Sequence, residues 1–527
     1  MRAAAHMKRE CLLCILSLCL CWFPARAASP ESTILRIQTH IQEGNLDAAE
    51  QAIAVALKNT PNDGGIYNLR GIVHADRNEL KAAEADFNRA IQLSPNLVGA
   101  YLNLGRACEM LSAKDPSALT RAIVQYRHLL NLQPDASAVR LQLAKLLEQQ
   151  QEFAASLKEL DALMTGDRRG ALAISLRSAD LASLGRRRDA KQAAESLRTA
   201  SDLDEEVVSA VLPALVKSKA DSIVILMLDL AGQRQQLSYN SLRQLAAAQE
   251  RCGQLSEARS TLEKLASTNP ANAAPLMELA RIAEKQNDLK GALGYLAHAR
   301  DLDPNYAPVH FFFGVVCIEL NLPIEAKKSL QKALDLDPGN AVYNYARGSV
   351  ELQGRAAWQA IPYFKKFVAA KPDDPRGHFA LGVAEFASQD YGSAGKELNS
   401  VANNKETAAG AQYFLGRIAK AESDWAQAAE HFQKSIEVEP NYADSHAELG
   451  LARMHLNDLA GARSELDRAL ALNPNSYIVN GNLLALLQRT KDPRAEAQEQ
   501  KLRALDVRRS EKQELMLRTI KIRPYGN

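Results

Sequence analysis

Apolar and polar positions along the chain repeat with a beat of 34 residues. Stretches such as AKKSLQKALDLDPGN (326–340) and GARSELDRALALNPNS (461–476) carry helix-spaced apolar residues and end at a proline. Pro270, Pro304, Pro338 and Pro372 are each 34 apart, and Pro440 and Pro474 keep the phase after one missing beat at Glu406. With the proline at position 32, repeats start at 30, 64 and 98. After a five-residue insertion they start at 137, 171, 205, 239, 273, 307, 341, 375, 409, 443 and 477. Fourteen repeats then cover 30–510.

Two further positions keep step. Position 20 is Ala in eleven repeats, from Ala49 to Ala462, and position 8 is Gly, Ala or Ser in eleven, Gly71, Gly105, Gly314 and Gly416 among them. The pattern predicts one helix over positions 1–14 and a second over 17–31. Between them sits a turn pair such as Gly44-Asn45, Asn287-Asp288 or Ser423-Asp424. Small residues at 8 and 20 let the two helices approach closely, and the proline stops the second helix. One hairpin cannot bury its apolar faces alone, so neighbours must stack.

These residues resemble the tetratricopeptide repeat, with its W-x-x-L-G-x-x-Y, A-x-x-x-F and A/P boxes. Tyr101-Leu104-Gly105 fits the first box. Leu381-Gly382 with Ala394, and Leu415-Gly416 with Ala428, Phe432 and Pro440, fit more of it. The resemblance implies an all-α, right-handed superhelical solenoid of helix pairs with a concave groove. It also implies that positions 2, 5, 9, 12 and 13 of the first helices line that groove. Four consecutive repeats then place Phe311, Tyr345, Phe379 and Tyr413 at position 5, beside Val315, Ile318, Leu352, Val383 and Phe386 at positions 9 and 12. Arg376 and Arg417 lie at the edges, where they could orient a carboxylate or a carbonyl. The expectation is an aromatic ladder across 307–442 that holds an extended or helical peptide; packing against neighbouring repeats is the alternative use of the same rings. The Lys/Asn/Arg carboxylate clamp of chaperone-binding relatives is not expected, because positions 5 and 9 hold aromatics and Val315, Ser349, Val383 or Arg417.

The array departs from its own pattern in places. Repeats 171–204 and 205–238 lack the proline, Pro213 falls inside a first helix, and Ile223–Leu228 is a six-residue apolar run. That helix should be buried on more than one side. Either 205–238 is a bend between an N-terminal block (30–204) and a C-terminal block (239–510), or the repeats have simply drifted. The insertion at 111–119 lengthens a turn, and Asp115-Pro116 suits a helix start. The last repeat ends in a polar helix after Asp492-Pro493, fit to solvate an open end. The tail 511–527 is basic.

Residues 1–27 read as a secretory signal: Arg2, Lys8 and Arg9, then the apolar run Cys11–Phe23, then Ala25-Arg26-Ala27. Met1 or Met7 could be the start. Cleavage after Ala27 would take four basic residues and one acidic residue, moving the formal net charge from +2 to −1. That charge excludes a strongly basic nucleic-acid binder. Four of the seven cysteines leave too. Cys108, Cys252 and Cys317 then read as unpaired, buried small hydrophobes. No later segment is apolar for long enough to be an integral membrane helix.

His310, His378 and His446 share position 4 in alternate repeats, too far apart to share an ion, and read as a polar row with Asn344, Gln412 and Asn480. Arg186-Arg187-Arg188 reads as a solvated turn. No Walker loop, dinucleotide fingerprint or nucleophile elbow occurs, so neither catalysis nor a cofactor is expected. The sequence supports a non-catalytic scaffold in a bacterial envelope, exported to the periplasm, with a protein or peptide partner. Alternatives are the arm of a polysaccharide-synthesis, glycosyltransferase or secretion complex, and a polysaccharide-binding solenoid.

Overall fold

The computed structural model describes residues 30–353 and 357–509, which leaves the signal-like 1–27 and the basic tail 511–527 outside the described residues. Within them are twenty-eight α-helices, three short 3-10 turns and no strand. The helices fall into fourteen consecutive pairs, an all-α repeat solenoid. Each first helix begins within one residue of its expected start, from Pro30–Gln42 to Tyr477–Arg489. Eleven of the fourteen second helices begin at position 17. The chain divides into two compact bodies between Ala258 and Arg259. The division lies beyond the degenerate repeat 205–238, which belongs entirely to the first body.

The turn inside each pair has one recurring geometry. Every described residue with positive φ sits at position 15, and nine of the twelve are not glycine: Asn78, Gln151, Lys219, Asn287, Asn321, Gln389, Ser423, Asn457 and Lys491 adopt φ between 52° and 66°. A left-handed residue there closes the first helix. In one example Asn457 N donates to Met454 O at 3.1 Å and Asp458 N to Arg453 O at 2.9 Å, so two terminal carbonyls gain donors. Position 16 then caps the second helix. Asp288, Asp390, Asp424 and Asp458 each accept the backbone N–H three residues on.

Positions 8, 20 and 24 make the contact within each pair. All eleven position-20 alanines are fully buried. A methyl added at Gly105 would sit 2.4 Å from the Tyr126 ring, at Gly416 2.7 Å from Phe432, and at Gly450 2.7 Å from Leu466. The ring or leucine at position 24 therefore lies directly on the glycine of the partner helix. First helices also touch the first helix of the following repeat in most of the stack, while second helices mostly do not. Within each body the first helices therefore form the tighter, inner row.

The position-4 residues have a specific task. His310, Asn344, His378, His446 and Asn480 each donate a side-chain N–H to the carbonyl of the position-32 proline six residues earlier, at 2.8–3.2 Å. Tyr101, through its O–H, and Arg140, through its guanidinium, do the same to Pro95 and Pro134. These donors satisfy the loop carbonyl that the interrupted helix leaves over. A proline carbonyl only accepts, so Nε2 of each of these histidines carries the proton. His378 and His446 also hold Glu397 and Glu465 on their Nδ1 atoms, at 2.6 and 2.7 Å.

In the degenerate region of the first body, the helices Glu205–Lys217 and Asp221–Gly232 form despite Pro213. Ile223, Val224, Met227 and Leu228 are buried. Arg186, Arg187 and Arg188 are exposed. Asp180 is fully buried on the first helix Ala171–Ser183. Burial pushes its carboxyl up to about 8, Ser156 and Arg177 pull the other way, and the buried Glu148, itself raised to about 7 by burial, adds to the rise. The folded state therefore keeps a proton that the unfolded chain loses above about pH 4. Stability should fall as pH rises from there to about 8, then level off. Asp180→Asn should remove most of that slope and raise the thermal midpoint at pH 8 by about 5 °C or more. Thermal melts from pH 5 to 9 check this, and an unchanged slope would contradict it.

Candidate functional site

The sequence places the candidate site on the first helices of repeats 307 to 409, all in the second body: Ala307–Glu319, Ala341–Gln353, Pro375–Ala387 and Ala408–Ala421. The structure divides the eleven expected groove residues into two groups.

The four position-5 rings are core residues, which corrects the expectation of an open ladder. Phe311, Tyr345 and Phe379 are 5%, 6% and 1% exposed, and Tyr413 is fully buried. Phe311 stacks on Tyr343 at 4.8 Å between ring centroids. Tyr345 packs on Phe364 and Phe367, Phe379 on Phe414, and Tyr413 on Phe414, Phe432 and Tyr442. The reason is the stacking itself: most of these partners come from the following repeat or the second helix, which close over position 5. Val315, Val383 and Leu352 are buried for the same reason.

Ile318, Phe386, Arg376 and Arg417 remain half-buried. Ile318 and Phe386 occupy position 12, at the edge of the packed row. Phe386 lies 5.3 Å from the Phe414 ring and 5.6 Å from Tyr391. The two arginines differ. Arg376 forms a two-point pair with Asp374, at 2.9 and 2.6 Å, which holds that carboxyl below the usual range. Arg417 has no carboxylate partner among the described residues. Its guanidinium lies 4.7 Å from the Phe386 ring centroid and 5.8 Å from those of Tyr413 and Phe414.

Several other charges on or beside these helices are paired. Glu351 accepts from both Lys327 and Arg347, Lys420 pairs with Glu448, and Arg453 with Glu465. Phe414, at position 6, joins the site without being expected from the repeat pattern. The adjacent pair Tyr413-Phe414, like Phe311-Phe312 at the same positions three repeats earlier, puts a second ring at position 6 and is the signal for it.

Cys108 and Cys317 are buried and unpaired, with thiols pushed up to about 11 chiefly by burial. Cys252 departs from the expectation of a buried thiol. It is exposed, because it sits at position 14 as the C-cap of Tyr239–Arg251, whereas the other two occupy packing position 11. Among the described residues no cluster of three or more His, Cys, Asp or Glu could hold a metal ion, and no helix is long and apolar enough to cross a membrane.

Comparison with known proteins identifies the repeat. A tetratricopeptide repeat model matches residues 34–98, 322–375, 358–412 and 413–477, and a second tetratricopeptide repeat model matches 251–310. No curated protein matches the chain. Among solved structures, the Cut9–Hcn1 hetero-tetramer of the APC/C is 15% identical over 87% of this chain and 97% of that one, with a TM-score of 0.38. A tetratricopeptide repeat protein from Parabacteroides merdae is 18% identical over 47% of this chain and 98% of its own, with a TM-score of 0.35. PilW, a type IV pilus biogenesis factor, is 20% identical over 40% of this chain and 98% of its own, with a TM-score of 0.36. The two family models together span just over half of the chain. The chain belongs to the tetratricopeptide repeat family.

Proposed function

We propose that this protein is a non-catalytic adaptor of the bacterial cell envelope that binds a peptide segment along the first helices of repeats 307 to 409. Tetratricopeptide repeats are protein-interaction scaffolds, and proteins built of them generally act without catalysis. The envelope setting rests on the signal-like residues 1–27. The observation that carries the binding face is the contrast within the row: the position-5 rings are buried, whereas Ile318, Phe386 and Arg417 stay partly open beside them. Half-open apolar and aromatic side chains on a rigid inner row can bury area on a partner without reordering the scaffold.

Affinity capture from an envelope fraction tests this, with residues 28–527 as bait. The bait should retain a defined protein. The variant Ile318→Ser/Phe386→Ser should lose it while keeping helicity. Equal retention by both baits would remove the site from this face. Retention of a soluble polysaccharide instead of a protein would favour a glycan-binding solenoid.

A further inference from the structure

Arg417 differs from the cations nearest to it along the second body. Arg347, Arg376, Lys420 and Arg453, which surround it in sequence on the same series of first helices, each hold a carboxylate. Arg417 holds none among the described residues. Three aromatic rings, Phe386, Tyr413 and Phe414, lie within 4.7–5.8 Å of the guanidinium carbon and fix its position. Its Nε is buried without a hydrogen-bond partner, and so is the hydroxyl of Tyr413, four residues earlier on the same helix. Tyr413 itself is fully buried. The Arg417 side chain is half-buried, and an uncompensated half-buried cation is costly in a folded protein. A ligand that supplies acceptor oxygens would relieve that cost.

We propose that Arg417 on its aromatic cradle anchors the bound peptide by receiving one Asp or Glu side-chain carboxylate from an otherwise apolar segment. The inference rests on the peptide-binding reading above. A single carboxylate is the charge that fits, because the neighbouring cations Lys420 and Arg453 already hold Glu448 and Glu465. The apolar context follows from the Phe386 ring beside the guanidinium and from Tyr391 packed against that ring, which offer ring surface and no further charge. A guanidinium fork can meet both oxygens of a carboxylate, and the rings behind it set the plane in which it does so.

The test uses the full chain and four pools of acetylated dodecapeptides with a randomised apolar background. Three pools are C-terminally amidated and carry one Glu, one Gln or one Lys. The fourth carries Gln and a free carboxyl terminus. Dissociation constants are read by fluorescence anisotropy. The Glu pool should bind about ten- to a hundredfold more tightly than the Gln pool, and the Lys pool should bind weakest. Arg417→Gln should abolish the Glu-over-Gln preference, and Arg417→Lys should keep part of it. Thermal midpoints of both variants should confirm that they fold. Equal binding of Glu and Gln pools, a preference that survives Arg417→Gln, or a preference confined to the free carboxyl terminus would each overturn the anchor while leaving the groove in place. Failure of every pool to bind would overturn the groove reading and the anchor together.

Discussion

Replacing Phe311, Tyr345, Phe379 and Tyr413 together with alanine is expected to unfold much of the second body, not to yield a folded protein that has lost its partner. Each ring is at least 94% buried and packs against rings of the same or the next repeat. Truncating a buried aromatic costs about 3–5 kcal/mol, because a cavity is left where the neighbours cannot collapse. Tyr413→Ala should be among the most damaging single changes, since it strips contacts from Phe414, Phe432 and Tyr442 at once. Repeats hold together through neighbours, so four adjacent defects should break the stack and not merely loosen it. Far-UV circular dichroism and hydrogen exchange over 307–442 measure this. A quadruple variant with wild-type helicity and exchange protection would show that these rings are not core.

Gly416→Val should be about as harmful as the loss of a single one of these rings, through the opposite defect. A side-chain carbon at Gly416 would lie 2.7 Å from the Phe432 ring, well inside van der Waals contact. Phe432 is fully buried and cannot swing out without uncovering Tyr413. Overpacking of this kind costs about 3 kcal/mol. The partner change Phe432→Ala should relieve part of it, so the double variant should be less unstable than the sum of the two single variants. Simple additivity in a double-mutant cycle would mean that the two positions do not meet as described. The same test transfers to Gly348 with Phe364, because the register is shared.

Much of this fold is legible in the amino-acid pattern. The 34-residue beat, the small residues at positions 8 and 20 and the proline at 32 set the number of helices and their starts. Each of those positions is dictated by contacts inside one repeat. The fate of position 5 is not legible in that way. A ring there is open or buried according to what the next repeat places over it, and Tyr343, Phe414 and Tyr442 supply that cover from another repeat or from the loop before it. Charge pairing is hidden for the same reason. Arg376 and Arg417 look alike in sequence, yet only Arg376 has Asp374 two residues away to hold it. The position-4 row is recognisable as polar, and its link to the preceding proline carbonyl is implicit in the fixed spacing of six residues. Residue type alone places Cys252 in the core, although its position 14 marks a helix end.

Whether a partner lies on the first-helix row of repeats 307 to 409 is tested most directly by site-specific photocrosslinking. A benzophenone side chain placed singly at Ile318 and at Phe386, with controls at the exposed second-helix positions Lys332 and Lys434, would be activated in an envelope fraction. Partner adducts are expected from 318 and 386 and none from 332 and 434. Adducts from the second-helix positions alone would contradict a partner on this face.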